Sequence, residues 1–403
     1  MIALLLGLLG GTSFAQQSDM AAAVKRVSRF TAQDIPSVQR KSERGDPQAQ
    51  FMLGLAYSMG AGVKPDPAEA FRWMSSSAKA GHMLAQNELG SMYASGEGVS
   101  QNDQEALEWF RKAAQQGYSD AQFNLGTCYL LGSGADRNME TAAHWFLKAA
   151  EQGNASAADT LGRMSLFGDG VPASEEAAAK WFRLAAEAGL PQGEYDFANL
   201  YRHGQGVPKD LAAAIHWLTK AAEQGKAEAQ TNLGSMLCDG EGVARNCEQG
   251  IRWLRKGAEQ GDSEGQNSLG HRYLTGQCVP KNAKTAFDWV LKAAEKGMAE
   301  AEITIAAMYR EGNGVDQNLS SAVSWYTKAA EQGNASAQFS LAVMYAEGQG
   351  IPRDLVLAYQ WLLIAQDRGQ ADPQFRTLLK NELTVEQRKA AQEGAADWLA
   401  RHQ

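Results

Sequence analysis

Three cysteines, Cys238, Cys247 and Cys278, lie near one another in the chain, and a fourth, Cys128, stands apart. Thiols at such spacing can bind a metal, act as nucleophiles or join as a disulfide. A zinc site draws on closely spaced couples of Cys or His. No Cys-x-x-Cys couple occurs, and His82, His144, His203, His216, His271 and His402 are scattered, with no pair at ligand spacing on one helix. No metal is expected. One disulfide is expected, either Cys247 with Cys278 or Cys238 with Cys247, in a compartment oxidising enough to keep it. Three reduced thiols are the alternative. Cys128 reads as a buried thiol filling core space.

Other chemistry is sparse. Gly96-Glu97-Gly98 and its counterparts invite phosphate binding, but none has the third Gly of Gly-x-Gly-x-x-Gly and none follows a strand pattern. Neither a Gly-x-Ser-x-Gly elbow nor a His-Glu-x-x-His pair is present. No catalytic residue and no cofactor is assigned, and the chain is read as a non-enzyme.

The elements that hold these residues are set by a period. Trp73, Trp109, Trp145, Trp181, Trp217, Trp253, Trp289, Trp325 and Trp361 recur every 36 residues, and only Trp398 is out of phase. A fixed period of this size means stacked supersecondary units, which build extended binding surfaces rather than clefts. Unit two shows the plan. Ala85 to Tyr93 is a first helix, Gly96-Glu97-Gly98-Val99 a loop, and Asp103 to Ala114 a second helix. Ala106, Trp109, Phe110, Ala113 and Ala114 fall at steps of three and four, the apolar stripe of a helix. Asn102 or Asp103 supplies the N-cap, and Gly96 and Gly117 close the helices. The column Gly54, Gly90, Gly126, Gly162, Ala198, Gly234, Gly270, Ala306, Ala342 admits only small residues. The two helices of a unit are therefore expected in close contact there, with Trp filling the space beside them.

Nine such units run over 47–370. Residues 16–46 read as a basic N-terminal cap with a half repeat, Ser37 to Gly45, behind a helix-compatible stretch, Met20 to Phe30. Residues 371–403 read as polar capping helices, Gln374 to Lys380 and Thr384 to His402, as array ends require. The 403-residue chain is 44% hydrophobic and 21% charged, enough to build a core and unlike a disordered polymer. Its net charge of −8 argues against nucleic acid as a partner. Within 16–45, Lys25, Arg26, Arg29, Arg40, Lys41 and Arg44 face three carboxylates, a balance of +3, so the remainder carries −11. This stretch is read first as a solvated helix face, with weak contact to anionic lipid head groups as the second reading. Ile2 to Leu9 is apolar, and Ser13-Phe14-Ala15 offers small residues at a cleavage site. Residues 1–15 are therefore read as a signal peptide, with a mature start at Gln16 and a periplasmic or secreted protein. The run is too short to span a bilayer, and no transmembrane segment is expected in the mature chain.

Ala121-Gln122-Phe123-Asn124-Leu125-Gly126, Trp145 and Lys148-Ala149-Ala150-Glu151-Gln152-Gly153 together resemble the Sel-1-like repeats, relatives of tetratricopeptide repeats. The resemblance covers about four fifths of the chain. It implies an all-α fold, a right-handed α/α superhelical solenoid, and an exported scaffold or adaptor that binds protein partners in a concave groove, in envelope assembly or sensor regulation. A hydrolase acting on cell-wall or β-lactam substrates is the alternative. Two departures from the repeat mark candidate partner sites. The last positions of the first helix, polar or small in most units, become Leu130-Leu131 and Leu166-Phe167. In this family those positions face the groove or its rim, and two apolar pairs suggest a partner patch unless loops cover them. Arg272, preceded by His271, stands where other units keep Met, Leu, Cys or Ala. A buried Arg must reach a carboxylate or the groove, so these two are a second candidate.

Overall fold

The computed structural model describes residues 14–370 and 372–402. Among them all regular structure is helical. The leader expected over 1–15 lies outside the described residues, apart from Phe14 and Ala15, which open the first helix.

The chain forms two compact bodies, one ending at Gln224 and the other starting at Gly225. The first holds α1 (Phe14–Val27), α2 (Ile35–Glu43) and five helix pairs. These are α3/α4 (Pro47–Met59, Pro67–Lys79), α5/α6 (Met83–Ser95, Asp103–Gln115), α7/α8 (Ser119–Leu131, Met139–Glu151), α9/α10 (Ala155–Phe167, Glu175–Glu187) and α11/α12 (Pro191–His203, Leu211–Glu223). The second holds α13/α14 (Ala227–Asp239, Cys247–Glu259), α15/α16 (Ser263–Thr275, Ala283–Glu295), α17/α18 (Ala299–Glu311, Leu319–Glu331) and α19/α20 (Ala335–Glu347, Leu355–Asp367). It ends with α21 (Pro373–Glu382) and α22 (Val385–Arg401). Each body is a stack of α-hairpins, an α/α solenoid. Each helix of the nine pairs is 13 residues long.

Local chemistry fixes those lengths. Asn102, not Asp103, is the N-cap of α6, its side chain accepting from the N–H groups of Gln104 and Glu105. Asp66, Asn138, Ser174, Asp210, Asn246, Asn282, Asn318 and Asp354 do the same for the other second helices, satisfying N–H groups that lack a partner within the helix. At the end of each first helix a glycine such as Gly96, at φ 75°, takes the left-handed conformation that stops it.

The small-residue column works as expected, but its partner is different. A Cβ on Gly90 would lie 2.7 Å from the Phe110 ring, on Gly126 2.8 Å from Phe146, on Gly162 2.6 Å from Phe182 and on Gly270 2.4 Å from Val290. The space beside the column is thus filled by the residue after the tryptophan. Trp73 and Trp109 are buried, but the other seven in-phase tryptophans are half-buried. On Trp109, Trp145, Trp217, Trp253, Trp289 and Trp325 a lysine three residues further on covers the ring, with Nζ 3.7 Å from the Trp109 ring centre at Lys112 and 3.8 Å from Trp325 at Lys328. Indole is too large to enter the helix crossing, and its face attracts the cation.

Successive repeats are joined by a glutamine ladder. Gln86 donates to the Ala78 carbonyl at 3.1 Å and accepts from Gln116 at 2.7 Å. Gln122 accepts from Gln152, Gln230 from Gln260, Glu194 from Gln224 and Glu302 from Gln332. Where the second member is Ala80, Lys296 or Arg368, the buried Oε1 of Gln50, Gln266 or Gln338 has no hydrogen-bond partner. At the C-terminal end, Leu379, Leu383 and Ala391 cover Tyr359 and Leu362. Trp398 packs on Trp361, with ring centres 5.9 Å apart.

Candidate functional site

The first helices present their accessible face through every third or fourth residue, such as Asp120, Asn124, Thr127 and Leu131 on α7. Leu131 is 67% exposed, and Phe167, its equivalent one repeat later, is 74% exposed. Leu130 and Leu166 turn inward and pack on the cores of their repeats. Each apolar pair therefore divides into one packing residue and one free one, and no loop covers Leu131 or Phe167. Four residues before Phe167, Arg163 reaches Asp159 at 2.8 Å and Asp196 at 3.8 Å. An open recess of about 720 Å³ begins one residue beyond Leu131, where Asp103, Asp136, Gly132 and Gly134 line it.

The same face is acidic toward repeat two. Burial pushes the Glu88 carboxyl up to about 7, a weak bond from Asn87 opposes the rise, and the charges of Asp120 and Glu97 add to it. Asp120 is raised by burial as well, although Tyr118 and Asn154 donate to it at 2.8 and 3.1 Å. Desolvation disfavours the charged form of both acids.

In the second body His271 is exposed, but Arg272 is only 7% exposed and faces inward. Its guanidinium grips Asp239 of the preceding repeat through two bonds, at 2.8 and 2.7 Å, and Gln277 donates to the same carboxylate at 3.1 Å. These bonds hold Asp239 below the usual carboxylate range. Arg272 is therefore corrected from a partner contact to an internal ion pair, because a guanidinium buried at a Met position keeps its charge and is costly there unless a carboxylate pairs with it.

Cys247 and Cys278 are joined by a disulfide, with Cα atoms 4.9 Å apart. Cys238 and Cys128 are buried free thiols. Cys238 fits because α14 has Gly250 where other second helices have Ala. A Cβ there would lie 2.5 Å from the Cys238 sulfur. Among the described residues no group of three or more His, Cys, Asp and Glu side chains is placed to hold a metal ion. No described helix is long and apolar enough to cross a membrane.

A family model described as Sel1 repeat matches residues 47–82, 84–118, 119–154, 155–190, 191–226, 227–262, 263–298, 299–334 and 335–369. The chain belongs to the Sel1 repeat family. As a Sel1 repeat protein it is similar to a protective antigen with an SLR fold from uropathogenic Escherichia coli, at 33% identity. That match covers 92% of this chain and 88% of the other, with a TM-score of 0.60. It is also similar to a Sel1 repeat protein from Oxalobacter formigenes, at 30% identity over 79% of this chain and 94% of that one, TM-score 0.60. No curated protein matches it at a significant level.

Sel1 repeat proteins are generally protein–protein interaction scaffolds. In this one, reading the repeats singly missed Glu88, the glutamine ladder and the Asp239 partner of Arg272. Aligning the nine repeats in 36-residue columns carries the signal for one of these, the ladder. Gln116, Gln152, Gln224, Gln260 and Gln332 share a column, and Ala158 and Ala188 lose both ladder members together.

Proposed function

We propose that this protein is an exported scaffold that holds a partner protein on the accessible face of repeats three and four. Leu131 and Phe167 are the anchors, and the setting is the cell envelope, in assembly or sensor regulation. The observation that carries this reading is the exposure of two large apolar side chains at equivalent positions of adjacent repeats, on a face otherwise polar. Burying each contributes about 1.5–3 kcal/mol, and adjacent apolar anchors ringed by polar residues are the usual pattern of an interface centre. Similarity to a protective antigen agrees with an exported setting. The test is capture of partners from the source cell's envelope after mild crosslinking, comparing wild type with Leu131→Asp/Phe167→Asp. Loss of a partner from a variant with unchanged helicity supports the reading. Retention of every partner sinks the placement on repeats three and four.

A further inference from the structure

The junction of repeats six and seven differs from the other junctions in its chemistry. At Gly98, Gly134, Gly170, Gly206, Gly314 and Gly350 the second glycine of the loop sits against the first residue of the preceding repeat's second helix. A Cβ would lie 2.2 Å from the Asp103 carbonyl oxygen at Gly134, 2.4 Å from that of Met139 at Gly170, and 2.2 Å from that of Ala283 at Gly314. In repeat seven these two positions are Cys278 and Cys247, and a disulfide replaces the close glycine contact. Cys278 keeps the glycine's backbone, at φ 66°, the only positive φ of a non-glycine among the described residues. L side chains rarely adopt it.

The surroundings favour the opened state of this bond. Cys247 is the first residue of α14, where the positive end of the helix stabilises a thiolate. The Arg245 guanidinium lies 3.5 Å from the Cys278 sulfur and stabilises a second one. Both half-cystines are half-buried, so a reductant can reach the bond. Cys238 is the contrast: burial pushes its thiol up, which keeps it out of exchange. A disulfide whose thiolates are both stabilised is readily reduced.

We propose that Cys247–Cys278 is a reversible redox site that locks and releases the junction of repeats six and seven, its reaction partner a dithiol of the thiol–disulfide oxidoreductase class. One thiolate of the dithiol attacks the Cys247 sulfur, and the Cys278 thiolate leaves beside Arg245. The second thiol of the reductant then attacks its own mixed-disulfide sulfur and releases Cys247. The protein gains two electrons and, as its thiolates equilibrate with water, up to two protons. The reductant departs as a disulfide. After release α13 and α15 remain joined by the Arg272–Asp239 pair and by the Thr231 hydroxyl on Asp262, the N-cap of α15, at 2.6 Å. The loop around Cys278 loses its tether, and Cys238, whose carbonyl is 3.7 Å from the Cys278 sulfur, loses its cover.

The test uses the folded full chain in glutathione buffers of graded ratio, with thiols trapped by maleimide and located by mass spectrometry. Wild type is expected to open the bond at the cytosolic glutathione poise without unfolding. Arg245→Gln, checked for unchanged helicity, shifts the equilibrium toward the disulfide about three- to tenfold. Cys238 labels at least about tenfold faster once the bond opens, as loss of local protection requires. In Cys247→Ser/Cys278→Gly, which restores the glycine of the other repeats, Cys238 labelling ignores the reductant. A bond that stays closed until the protein is denatured overturns the proposal. So does a Cys238 labelling rate that reduction leaves unchanged.

Discussion

Glu88 gives the accessible face a response to pH. Its carboxyl is raised from the ordinary 4.5 to about 7. The folded protein therefore binds a proton that the unfolded chain has already released, and the stability this confers is present below about pH 4.5 and lost as pH rises toward 7. Wild type should show a falling melting temperature from pH 5 to pH 8. Glu88→Gln should match it at pH 5 and exceed it at pH 8. A melting-temperature difference independent of pH would falsify the assignment. Glu88 was not legible in the sequence, because its shift comes first from burial and then from the charges of Asp120 and Glu97, which only the fold brings near it. Arg272 was half legible. Its misfit in an apolar column required a partner, but Asp239 becomes evident only when the register of one repeat on the next is known. That register places Asp239, the last residue of α13, against the start of the final turn of α15.

Within an element pair, the crossing of the two helices is set by one small residue and the side chain opposite it. Gly126→Val would drive a branched side chain into the Phe146 ring, which already lies 2.8 Å from where a Cβ would stand. The expected loss is about 1–3 kcal/mol, read by chemical denaturation. Phe146→Leu should recover part of it in the double variant, since repeat five pairs Ala198 with Leu218. Additive losses would show that the two side chains do not share the space. The column of Gly and Ala was legible without coordinates. Its partner was not, because Trp and the residue after it are both apolar and both in phase, and only the width of the crossing decides which enters.

At the scale of the whole chain the 36-residue period made the helix pairs legible, and capping side chains at fixed places set their ends within about two residues. The division after Gln224 was not legible, since the repeats on either side of it keep the same motif. The two C-terminal helices were legible as helices outside the repeat because their polar composition breaks the pattern. Removing residues 371–403 should uncover Tyr359, Leu362 and Ile364. Light scattering should then find the truncated chain associating at concentrations where the full chain does not. Monodisperse behaviour would mean that α20 needs no cover. The glutamine ladder has one more consequence. Its Gln–Gln bonds join residues 30 apart within a repeat, its glutamine-to-carbonyl bonds reach the preceding repeat, and the Asn124–Asn87 pair between neighbouring repeats is 37 apart. A recombination event that removes or copies a 36-residue segment within either body re-forms the same bonds with equivalent residues. Array length is thus cheap to change over evolutionary time at most junctions. Repeats six and seven are the exception: a cut between Cys247 and Cys278 strands both half-cystines, so these two are inherited as a pair.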